Sequence, residues 1–111
     1  MQRELQKLTW KDVDRLVPAK IDRIFFPVGT VEAHGAAALG TDNFIPESIA
    51  EYLADKIDGL IAPTLSYGIT KSLYGYPGSI TIQSDNFRNF VDDILKSFHA
   101  VSYTHLRAHE T

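Results

Sequence analysis

The 111-residue sequence predicts an α/β three-layer sandwich on a largely parallel sheet, and three observations carry that expectation. The run Ile24 to Val28 is apolar at every position, the pattern of a strand covered on both faces by helices. Helical and extended segments alternate in the order α-β-α-β-loop-β-α. A stretch of small residues, Gly29 to Thr41, follows the first strand directly. In such folds ligands gather in the loops leaving the carboxyl ends of the strands.

The elements follow in order. Thr9, with Asp12 three residues on, reads as a capped helix start, and Trp10, Val13, Leu16 and Val17 cover one helical face before Pro18 stops it. After the first strand, Asn43 to Ile57 places Phe44, Ile45, Ile49, Leu53 and Ile57 on one face and Glu47, Glu51 and Asp55 opposite. Pro46 is tolerated in the first turn. Leu60 to Ala62 forms a short second strand ended by Pro63, and a loop rich in Gly, Tyr and Ser runs from Thr64 to Gly78. Ser79 to Gln83 reads as a third strand. Ser84 then caps a helix whose apolar stripe is Phe87, Phe90, Val91, Ile94, Leu95 and Phe98.

Composition narrows the function. The net charge is -3 and the eleven Lys and Arg residues are scattered, so there is no basic field for nucleic acid. With no cysteine, disulfides, thiolate nucleophiles and Cys-based zinc sites are excluded, and any metal is left to carboxylates and imidazoles. The polar, mixed-charge start MQRELQKLTW is unlike a signal peptide, and no apolar run approaches membrane-spanning length. A cytoplasmic protein with no membrane partner is expected.

Chemistry concentrates in Pro27 to Asp42, PVGTVEAHGAAALGTD. Glu32 and His34 are two apart, so on extended backbone both side chains project to the same side. Gly35 frees the chain to turn, and Asp42 at the helix entrance could offer one oxygen to each of two metals. Acids packed this closely raise a pKa unless a cation offsets them. The same residues have a plainer reading, in which Asp42 caps the helix and His34 is a surface or hydrogen-bonding residue. Spacing alone leaves both readings open. His105 and His109 are four apart but lack the enclosed Glu of a metzincin-type motif. A phosphate-binding, flavodoxin-like module is the remaining alternative, disfavoured because Glu32 and Asp42 would repel an anion.

PVGTVEAHG followed by LGTD resembles the signature of the creatininase family, and the likeness extends through LTWKDV, LIAPTLSYG and YPGSITI over residues 8 to 100. The resemblance implies a metal-dependent amidohydrolase acting on a cyclic amide, formamide or related C–N bond of a small molecule through a two-metal-activated water. It implies Glu32 on the first metal, His34 on the second and Asp42 bridging, with Zn or Mn as the ions. Tyr67, Gly68 and the loop through Tyr76 would line the substrate pocket, and the full-length protein would be a homo-oligomer. Two departures stand out. Ala36, Ala37 and Ala38 replace a longer connection that often carries a further His and a Pro. The family's Asn-Gly-His-Gly-Gly-Asn segment and a later Glu, which complete its site, are not in this sequence. Residues 1–100 are therefore expected to be the N-terminal part of such a domain, inactive alone. VSYTHLRAHET, residues 101–111, reads as a non-native tail without a strand.

Overall fold

The computed structural model describes residues 1–70 and 73–101 together with the backbone of 105–109. Lys71 and Ser72, in the predicted Thr64 to Gly78 loop, and the side chains of His105 and His109 lie outside the described residues. The elements are α1 (Trp10–Leu16), β1 (Arg23–Pro27), α2 (Thr41–Ile57), β2 (Leu60–Ile61), α3 (Ser84–Ala100) and β3 (His105–His109), with a 3-10 turn at Leu5–Lys7 ahead of them. β1 is central in a three-stranded sheet of order β2-β1-β3, and both pairings are parallel.

Alternation along β1 divides the core into two layers. Ile24, Phe26 and Val28 face one side, where Val13, Leu16, Phe87, Ile94, Leu95 and Phe98 cover them. The rings of Phe26 and Phe98 meet edge to face, with centroids 5.7 Å apart. Phe25 points the other way, onto Ala50 and Ala54 of α2, with Leu53 and Ile61 at the margin. Because helices cover both faces, the run needs no polar position, which explains its composition.

The capped start of α1 forms as expected, with a reciprocal box: Asp12 N–H donates to Thr9 Oγ1 at 3.1 Å and Thr9 N–H to Asp12 Oδ2 at 3.0 Å. Trp10, however, leaves the core and is exposed. The orientation of α2 corrects the expected apolar face more sharply. Its buried residues are Asn43, Pro46, Ala50 and Ala54, while Phe44, Ile45, Ile49 and Ile57 are 38% exposed or more. Phe25 fills the space between strand and helix, so only small side chains fit on the helix face that meets it.

Two further corrections concern strands. Ser79 to Gln83 adds no strand to the sheet. It reaches the loop after β1 instead, through one antiparallel bridging pair, Val31 with Ile80. Conversely, a strand forms where none was expected, since His105–His109 pairs along β1 from Arg23 to Pro27. Parallel pairing uses backbone donors and acceptors, so an open sheet edge accepts a segment that has no apolar run. Among the described residues no helix is long and apolar enough to cross a membrane.

Candidate metal centre

The site is built by the loop leaving β1 and the first turn of α2. β1 delivers the chain through buried Val28, Gly29 and Thr30 to Glu32 and His34. There Gly35, at φ +59°, turns it back, and Ala37 N–H closes the turn on the His34 carbonyl at 3.0 Å. The alanine-rich connection is thus a tight reversal that carries the chain to Gly40, the residue before α2. Asp42 does not cap the helix. It stands inside the first turn, and its carboxylate points to the loop.

Close approach of backbone to backbone makes this convergence possible. A Cβ on Gly29 would stand 2.1 Å from Asn43 Oδ1 and 2.4 Å from the Asp42 carbonyl oxygen, so only glycine lets α2 seat against the end of β1. One donor atom from each of Glu32, His34 and Asp42 lies within 4.8 Å of the others. Nε2 of His34 is 2.9 Å from Asp42 Oδ2 and 3.7 Å from Glu32 Oε1. The three side chains are between 14% and 26% exposed.

Electrostatics separates the two acids. Burial, with a hydrogen bond and repulsion from Asp42, pushes Glu32 above its ordinary 4.5 despite opposing pulls from Thr30 and His34. Burial also pushes Asp42 upward, but hydrogen bonds from Glu32 and Thr30 and the attraction of His34 outweigh it, leaving Asp42 below its ordinary 3.8. The pair therefore holds a proton on Glu32 more readily than on Asp42. Despite its closeness to two carboxylates, the buried His34 Nε2 has no aligned hydrogen-bond partner. Oxygen and nitrogen donors gathered this closely from three side chains suit a cation between them, so the residues fit a divalent metal.

Thr30 was missed in the sequence. Buried and 3.1 Å away, its hydroxyl donates to Asp42 Oδ2 and fixes the rotation of that carboxylate. A hydroxyl residue two positions before Glu32 was the available signal. The expected substrate residues are dispersed. Gly68 packs against the site wall, where a Cβ would meet the Gly29 carbonyl oxygen and Thr30 Cγ2 at 3.1 Å. Tyr67 lines an apolar cleft of about 260 Å³ with Leu65, Ile82, Asn86, Phe87 and Phe90. Tyr76 stands exposed and apart from that cleft.

Comparison with known proteins gives this arrangement a context. The family described as creatininase, creatinine amidohydrolase, matches residues 6–106. A creatinine amidohydrolase of Pseudomonas putida is 30% identical over 96 residues, covering 81% of this chain and 37% of the relative. A crystal structure of creatinine amidohydrolase superposes with a TM-score of 0.90 at 24% identity, over 96% of this chain and 44% of the other. The structure described as "Creatininase Mn" also gives a TM-score of 0.90 at 24% identity, over 97% of this chain and 44% of the other. A mutant creatininase described as "Zn-Zn type" gives 0.89 at 24%, with the same coverage of each chain. This chain thus spans less than half the length of the proteins it resembles. With a match across nearly all of its residues, the chain belongs to the creatininase family.

Proposed function

We propose that Glu32, His34 and Asp42 hold divalent metal ions, Zn or Mn, in a hydrolase that cleaves a cyclic amide, formamide or related C–N bond of a small molecule. The observation that carries this reading is the convergence of one donor atom from each of Glu32, His34 and Asp42 to within 4.8 Å of one another, with Nε2 of His34 between two carboxylates. The likeness to a creatinine amidohydrolase and to creatininases described as Mn and Zn-Zn types supports it. Glu32 would serve one cation, His34 the other, and Asp42 both. When bound, such cations supply Lewis acidity to the carbonyl and activate water.

The chain's own residues prepare that chemistry. Thr30 orients Asp42, and Glu32, whose burial favours its protonated form, would hold a metal as the carboxylate, so metal would compete with its proton. Gly68, Tyr67 and Tyr76 contribute to the substrate side, and the full-length enzyme is a homo-oligomer. Three ligands are too few for two open sites, so this stretch alone binds a cation weakly and turns over no amide. The remaining ligands come from the portion of the relatives that this chain does not span. The test is to fuse the chain to the C-terminal portion of the Pseudomonas putida relative and assay hydrolysis of creatinine and simple formamides with Mn²⁺ or Zn²⁺. Chelator-sensitive turnover by the fusion and none by the short chain is expected. Robust turnover by the short chain would show that three ligands suffice. Failure of the fusion to take up metal would remove the reading altogether.

A further inference from the structure

Ser79 lies outside the ligand set, on a segment far along the chain from the β1 loop. We infer that Ser79 is a positioning residue that holds the Glu32 and His34 side chains at their spacing through the backbone between them; this rests on reading those side chains as metal ligands. The Ala33 N–H, midway between the two ligands, donates to Ser79 Oγ at 2.9 Å. The preceding N–H, that of Glu32, donates to the Leu39 carbonyl at 3.1 Å. Gly78 packs so closely on Leu39 that a Cβ there would stand 2.4 Å from Leu39 Cδ1. Ser79 directly, and Gly78 through Leu39, therefore brace the two successive peptides on either side of the Glu32 Cα.

Ser79 is itself anchored. Ile80 N–H donates to the Val31 carbonyl at 3.0 Å, and Ile82 N–H to the Gly68 carbonyl at 2.9 Å. The buried Thr70 adds two bonds, its N–H to Thr81 Oγ1 at 2.9 Å and its Oγ1 to the Ile80 carbonyl at 3.0 Å. A brace tied down at Ile80, Thr81 and Ile82 transmits little freedom to the peptide it holds. Along an extended segment, rotation at Ala33 would swing Glu32 and His34 relative to each other, because they project to the same side on either side of it. A misplaced donor weakens a metal site much as loss of an outer-shell partner does, by about 10- to 100-fold in affinity.

The experiment compares Ser79→Thr with Ser79→Val in the full chain. The two side chains are nearly equal in shape, and only threonine keeps the oxygen that accepts from Ala33. Co²⁺ serves as the probe, read by its visible ligand-field spectrum and by titration calorimetry, with urea melts of the metal-free proteins as the stability control. Ser79→Thr should keep the wild-type spectrum and affinity, while Ser79→Val should bind about 10-fold more weakly with an altered spectrum. Equal affinity and spectrum in the two variants would overturn the inference while leaving the metal reading intact. Wild-type protein that takes up no Co²⁺, with His34→Ala indistinguishable from it, would instead remove the metal reading and this inference with it.

Discussion

Exchanging Asp42 for alanine should lower the affinity of the chain for Zn²⁺ or Mn²⁺ by at least about 100-fold, the upper end of what loss of a mere outer-shell partner costs. Glu32→Gln should lower it as well, but with an opposite effect on the empty protein. The Glu32 carboxyl is held above its ordinary 4.5, so the folded state binds that proton more tightly than the unfolded chain does. Stability contributed there is complete below 4.5 and is lost as pH rises through the folded value, leaving a penalty at neutral pH. Glutamine carries no such charge. Urea melts in chelator from pH 4 to pH 8 should therefore show Glu32→Gln gaining on wild type as pH rises, while calorimetry shows it losing metal. If the variant matched wild type in both measurements, neither the strain between the acids nor their role as ligands would stand.

Phe25→Ala should cost about 3–5 kcal/mol, the largest single loss expected in the core. Phe25 is fully buried, and its ring is gripped from two directions. Ala50 and Ala54 close one side, and Gly59 approaches so nearly that a Cβ there would stand 2.4 Å from Phe25 Cε2. A domain holds only about 5–15 kcal/mol in all, so this variant should be largely unfolded under mild denaturant. Phe90→Ala, at a ring 57% exposed, should shift stability by no more than about 0.5 kcal/mol. Comparable losses in chemical denaturation would contradict the layer arrangement, in which β1 presents Phe25 to α2.

What was legible in the sequence followed from local rules. The helix start at Thr9 and Asp12 is written within four residues, and the central strand shows in five consecutive apolar residues. Glu32 and His34 were readable as a pair because extended backbone fixes the relation of i to i+2. The rest depends on partners distant in sequence. α2 carries large apolar residues on one side and small ones on another, and periodicity does not say which side meets Phe25. Ser79 to Gln83 has strand-like residues, but its partners are the loops at Val31 and Gly68. β3 was invisible because backbone pairing along β1 leaves no mark in side-chain pattern. In the same way Asp42 reaches the site through the absence of a side chain at Gly29, and Thr30 and Ser79 act through single hydrogen bonds.

The two-sided character of α2 has a consequence for how this helix tolerates change. At Ala50 and Ala54 its constrained quantity is volume. Ala50 and Ala54 have no exposed surface, so even a conservative Ala50→Val forces extra methyl groups into a closed space, at a cost of about 1–3 kcal/mol. Ile45, 52% exposed, can become lysine with little effect on the folded chain. A substitution scan of α2, scored by folded yield, should therefore rank the mild change at Ala50 as more damaging than the radical one at Ile45. Similarity matrices would order the two the other way, and a helix that inverts them records in its mutational profile which of its sides lies against the sheet.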